Sequence, residues 1–220
     1  MHKSAGVHTN VGEQQPRLAR PTGPITSRSV SSNALNGWRE ERAARLDELI
    51  DAHQRIGGSA AGRRWQTEQL NWALILRLAA EFQGFAHDLG AEAVAASASG
   101  PMVGVVQRLL VLNRQLDRGN AQPSALGADF GRFGVDWWPE LTKRDIRTTG
   151  RQQQLELLNR ARNAIVHSLP TELAQLENEG HPPTLATVKK WRSGLNGLAA
   201  TMDGVLAHHV AQLENGSAPR

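Results

Sequence analysis

Apolar residues in this chain recur at intervals of three and four, with no sustained alternation of two. The clearest run is Leu70, Leu74, Leu78, Phe82, Phe85 and Leu89. That spacing puts six side chains along one face of a helix with 3.6 residues per turn, whereas a strand would scatter them over both faces. The same rhythm runs through Ala43, Leu46, Leu49, Ile50 and His53. It returns in Leu185, Val188, Leu195, Leu198, Met202, Val205 and His209, with Arg192 in the same row. An all-α bundle follows, and 220 residues are enough to enclose a substantial core.

Breaks in the pattern divide the chain. Residues 1–37 are rich in Gly, Pro, Ser, Thr and Asn without apolar periodicity, and are expected to be a disordered leader. A helical domain is expected over 38–214, with a short disordered tail at 215–220. Within the domain the spacing predicts about five helices, over 39–56, 65–96, roughly 102–118, 151–168 and 184–213. The third is expected to turn Val105, Leu109, Leu112 and Leu116 inward. Residues 119–135 read as a loop, followed by Asp136-Trp137-Trp138-Pro139, whose tryptophans are expected to plug the bundle beside the fourth helix. Thr149 is placed to cap that helix, and Pro170 disfavours its continuation.

Composition removes several classes of function. There is no Cys, hence no disulfide framework, thiol catalysis or Cys-ligated zinc. His181, His208 and His209 lack a metal-binding spacing, so no metal or other cofactor is expected. His53 and His87 are expected at the edge of the core. No apolar stretch reaches membrane-span length and no signal-peptide core is present, which makes a cytoplasmic protein the expectation. The sequence pI near 10.3 overstates the basic character. Without Cys or Tyr, almost nothing titrates between histidine and lysine, so a net charge of +4 moves the pI far. Beyond residue 38 the chain carries 21 basic and 20 acidic residues. One local excess stands out: residues 141–164 carry Lys143, Arg144, Arg147, Arg151, Arg160 and Arg162 against Asp145 and Glu156.

That excess contains the one segment with evident chemistry, Arg162-Asn163-Ala-Ile-Val-His167. Arg162 interrupts the row Leu155, Leu158, Ile165, Leu169, where a guanidinium is costly unless it meets a partner. Asn159, Asn163 and His167 form a second row at four-residue spacing. Arg162 and His167 lie about 140° apart around one helix, so a single copy cannot aim both at one atom. Two copies about a two-fold axis could. His167 would then exchange protons with a ribose 2′-hydroxyl or the leaving oxygen, Arg162 would stabilise the phosphate, and Asn163 would orient them. Arg160 and Arg151 are candidate RNA contacts on the same helix.

The Arg-Asn-x-x-x-His segment resembles the motif of the HEPN superfamily, the higher eukaryotes and prokaryotes nucleotide-binding domains. Ala79-Ala-Glu-Phe82-Gln83-Gly84-Phe85-Ala-His-Asp88-Leu89 and Phe133-Gly-Val-Asp136-Trp137-Trp138 resemble its RiboL-PSP-associated, MAE-type prokaryotic branch. One departure is plain. Members often carry Phe-Glu-x-Phe where this chain has Phe82-Gln83-Gly84-Phe85, and its nearby carboxylates, Glu81 and Asp88, sit at other positions. The resemblance implies a homodimeric helical bundle acting on RNA as a metal-independent endoribonuclease of a bacterial defence or toxin–antitoxin system. Its partner would be an antitoxin or defence protein. It equally allows a non-catalytic HEPN dimer that serves as a binding or regulatory module.

Overall fold

The computed structural model describes residues 31–56, 64–97 and 101–214, so the leader expected at the start of the chain falls largely, and the tail at 215–220 entirely, outside the described residues. Every regular element among the described residues is helical. They are α1 (Asn33–Gly37), a π turn (Trp38–Arg42), α2 (Ala43–Ile56), α3 (Arg64–Ala96), α4 (Val103–Val111), α5 (Pro123–Gly131), α6 (Trp137–Arg144), α7 (Thr148–Val166), α8 (Pro170–Asn178) and α9 (Leu185–Glu214). The first three run on as one rod, giving eight rods rather than five. None is long and apolar enough to cross a membrane.

The long helices α3 and α9 pack on each other, and α7 lies against both. The repeating stripes explain this arrangement. Leu74, Leu78, Phe82, Phe85 and Leu89 of α3 are buried, as are Val188, Leu195, Leu198, Met202 and Val205 of α9. Each such side chain contributes roughly 1.5–3 kcal/mol. The first rod starts at Asn33, six residues ahead of the expected start. The reason lies in Ser32 and Trp38. Ser32 Oγ accepts from Leu35 N at 3.0 Å, and the Glu92 carboxylate of α3 accepts from Asn33 N and Ala34 N. Trp38 then sits edge-on to Phe82 at 5.7 Å and donates its indole N–H to Asn196 at 3.0 Å.

Three further expectations are corrected. The third helix stops at Val111, because Leu112 is extended and Asn113 adopts a φ of 57°. Of its expected inward row only Leu116 is buried; Val105, Leu109 and Leu112 are more than half exposed. The turn is fixed by the Asp129 carboxylate, which accepts from the backbone N–H groups of Gln115 and Leu116. Second, the stretch read as a loop folds into α5, and Phe130 stacks on Trp137 at 4.4 Å with Trp138 donating to Pro123 O. The expected plug is therefore present, with Trp137 buried and Trp138 half-buried. Third, the stretch before the last helix, for which no element was expected, forms α8; α7 does end before Pro170, which then opens the new helix because proline lacks only an N–H that a first turn does not use.

Helix α9 carries a notch for polar side chains. A Cβ at Gly194, Gly197 or Gly204 would overlap Gln154, Arg151 or Arg144, each lying flat on the α9 backbone. Gly84 of α3 does the same for Arg42.

Candidate functional site

Helix α7 begins without the expected Thr149 cap. Asp145 organises the corner: its carbonyl accepts from Thr148 N, and its carboxylate accepts from the Arg147 backbone and guanidinium and from Arg151. Hydrogen bonds from Arg147, with the nearby Arg151, hold the Asp145 carboxyl well below the usual carboxylate range. Arg151 is largely covered, resting on Gly197 and reaching Thr201 Oγ1 at 3.3 Å as well as Asp145 at 2.7 Å. It is thus committed to the fold, though it borders a groove of about 580 Å³ with Arg147, Gln154, Lys190 and Ser193. No carboxylate lines that groove among the described residues.

Further along, the asparagine row faces the segment that follows α4. Asn159 is buried and donates to Ala121 O at 3.1 Å and Leu155 O at 2.9 Å. Asn163 Oδ1 accepts from Asn120 Nδ2 at 2.8 Å and from Arg162 Nη1 at 3.0 Å. The Asn120 segment is itself held from α3, because Gln83 Nε2 donates to Gly119 O at 2.8 Å. Sequence reasoning missed Asn120 and the part played by Gln83. An asparagine in the Gly119-Asn120-Ala121-Gln122-Pro123 turn was the available signal for the first.

Arg162 is half-buried, and among the described residues its partner is a neutral amide, with no carboxylate in ion-pair range. His167 is exposed at the C-cap of α7, with φ −95° and ψ 7°. Ser168 follows at φ 52°, and Leu169 N closes the turn on Ala164 O at 2.8 Å. Val166 and Leu169 flank His167 and are 48% and 42% exposed. The structure therefore joins the Arg162 and Asn163 side chains directly and leaves the His167 imidazole one turn beyond; His167 is bonded to Asn163 only through its backbone N–H. Arg160 makes a two-point ion pair with Glu179, at the C-terminal cap of α8, at 2.8 and 3.2 Å. That pairing raises the Arg160 pKa and lowers that of Glu179.

A cleft of about 300 Å³ lies beside the asparagine row, lined from α7 by Glu156, Asn159, Arg160 and Asn163 and from the opposite wall by Gln122 and Ser124. His53 is buried, whereas His87 is exposed and 3.2 Å from Asp117, not at the core edge. His209 is buried and bonded to Phe133 O at 2.7 Å. No group of three or more His, Asp or Glu side chains converges among the described residues.

No family model, curated protein or solved structure matches this chain.

Proposed function

We propose that this protein is a metal-independent endoribonuclease of the HEPN type, working as a homodimer in a bacterial defence or toxin–antitoxin system. The observation that carries this reading is the pairing of Arg162 with Asn163 rather than with a carboxylate. A guanidinium that keeps its charge unneutralised, with an exposed imidazole further along the same helix end, suits a phosphodiester. His167 Nε2 or Nδ1 removes the proton from a ribose 2′-hydroxyl. The resulting O2′ attacks the adjacent phosphorus, and the bond from phosphorus to the 5′-oxygen breaks. Arg162 stabilises the charge on the non-bridging oxygens, and the departing 5′-oxygen takes a proton from the second copy's imidazole or from water. The products are a 2′,3′-cyclic phosphate and a 5′-hydroxyl. DNA lacks the attacking oxygen and is not a substrate.

Two copies are needed because His167 and Arg162 diverge around α7. The apolar rim formed by Val166 and Leu169 is suited to bringing two such helix ends together. The groove beside Arg147 and Lys190 offers the flanking RNA a track in which Lys190 supplies the charge, Arg147 and Arg151 being paired with Asp145. The competing reading is a non-catalytic HEPN dimer that binds an antitoxin-like partner, favoured by the exposed apolar side of α4, where Met102, Val105, Leu109 and Leu112 face solvent.

Incubating purified protein with RNA in EDTA, beside Arg162→Ala and His167→Ala, separates the two. Cleavage by the wild type, its loss in both variants and cyclic phosphate ends are expected. An intact dimer that cuts no RNA would leave the binding module, and equal cleavage by wild type and variants would discard the site.

A further inference from the structure

We propose that the cleft beside the asparagine row is a base subsite selective for guanine; this rests on the ribonuclease reading of α7 for its biological meaning. The cleft, about 300 Å³, is at the small end of ligand sites and suits one nucleoside. Its walls are polar, and the free hydrogen-bonding groups are unequally distributed. Asn163 Oδ1 is occupied by Asn120 and Arg162, which leaves its Nδ2 as a donor. Both hydrogens of Asn159 Nδ2 are spent on Ala121 O and Leu155 O. The Glu156 carboxylate lines the cleft without a hydrogen-bond or ion-pair partner among the described residues; Arg160, one turn on, acts on it through charge alone because its guanidinium is paired with Glu179, so Glu156 presents a carboxylate that can only accept.

A carboxylate distinguishes the four bases by their pairing edges. Guanine alone places two donors side by side, N1–H and the exocyclic N2–H₂, to meet both carboxylate oxygens. Adenine and cytosine set a ring-nitrogen acceptor next to their amine, and uracil flanks its single N–H with two carbonyls. Each of those would press an acceptor against Glu156. Guanine's remaining edge atom, O6, is an acceptor and requires a donor on the far side, which Asn163 Nδ2 supplies. Glu156 and Asn163 are seven residues apart on one face, about 10.5 Å along the helix. That separation leaves room for a base edge between the two side chains.

His167 lies four residues, about 6 Å, past Asn163 along the helix axis, so the subsite adjoins the proposed catalytic end of α7.

Guanosine 3′-monophosphate, titrated calorimetrically into the full-length protein beside the adenosine, cytidine and uridine analogues, tests this without requiring turnover. Guanosine 3′-monophosphate is expected to bind at least tenfold tighter than the others. Glu156→Gln, which swaps one acceptor oxygen for a donor on an exposed helix face, should remove that preference while circular dichroism stays unchanged. Glu48→Gln on α2 should leave it intact. Equal binding of all four nucleotides, binding of none, or an unaltered preference in Glu156→Gln would overturn the subsite. RNA cleavage without guanosine selectivity would leave the nuclease standing and remove the subsite. Glu156-dependent guanosine binding by a protein that cuts no RNA would do the reverse.

Discussion

Two arginine-bearing regions of this bundle have opposite electrostatic outcomes. Around Glu81, which is 4% exposed, three guanidinium groups converge: Arg42 at 2.8 Å, Arg77 at 2.6 Å and Arg45 at 3.4 Å. Arg42 reaches on to Asp88 at 2.6 Å, and Gly84 clears the α3 backbone for it. Burial alone would raise the Glu81 pKa, but the Arg42 hydrogen bond and the charges of Arg77 and Arg42 hold it below the usual carboxylate range. At the end of α7, Arg162 has an amide and His167 has solvent. The first region spends its charge within the fold, and the second keeps it available. Arginine count and local net charge do not separate the two; the identity of each partner does.

The same truncation in both regions is the strongest way to break that contrast. Arg162→Ala should lower RNA cleavage by about 10²–10³-fold while leaving the urea midpoint within error, because little of the fold leans on it. Glu81→Ala should destabilise by about 1.5–3 kcal/mol in urea unfolding, because it removes the buried acceptor of three guanidinium groups, although Arg42 keeps Asp88 and Arg45 keeps Glu41. Activity in the folded fraction should persist. If Arg162→Ala unfolds the protein, or Glu81→Ala leaves it as stable as before, the division between available and committed charge fails.

Acid sharpens the comparison further. The carboxyls of Glu81, Asp47 and Asp145 all have folded pKa values below their ordinary ones. Their stabilisation is complete above the ordinary carboxylate range near pH 4, and it drains away as pH falls through that range toward the folded values. Thermal melts should therefore drop below about pH 4 and change little above it from this source. In Glu81→Ala the acid-sensitive fraction should be smaller. The least effect belongs to Arg160→Ala. Its pair with Glu179 is about one-third exposed on both sides, worth about 0–1 kcal/mol, and its loss should alter melting by a few degrees at most. A larger change would mean that α8 depends on this link.

The α3 and α9 stripes were legible because their rows of Leu, Phe and Val are long and face other helices throughout. Val103–Val111 misled the same logic: its spacing is as regular, yet the chain turns at Asn113 before the row can be covered. Periodicity records which side chains share a face and not whether anything meets that face. The Phe130-to-Trp138 stretch failed differently, since two short helices joined at Gly134 leave too few turns to show a period. In α7, the sequence placed Arg162, Asn163 and His167 near a helix end. The partners of Arg151 and Arg160 were not readable, because Thr201 lies on α9 and Glu179 at the end of α8, 50 and 19 residues away. Nor was Asn120, whose bond to Asn163 spans 43 residues.

The glycine notch along α9 has a consequence for anyone wishing to harden this protein. Replacing a helical glycine by alanine ordinarily gains about 0.5–1 kcal/mol, and a consensus-minded designer would begin with Gly194, Gly197 and Gly204. Here the added methyl displaces Gln154, Arg151 and Arg144, and at Gly197 it lifts Arg151 from Asp145 and loosens the entrance to α7. Of the three, Gly197 is therefore the one to leave alone, because Arg151 is held by Asp145 and Thr201, whereas the exposed Arg144 can swing aside at Gly204.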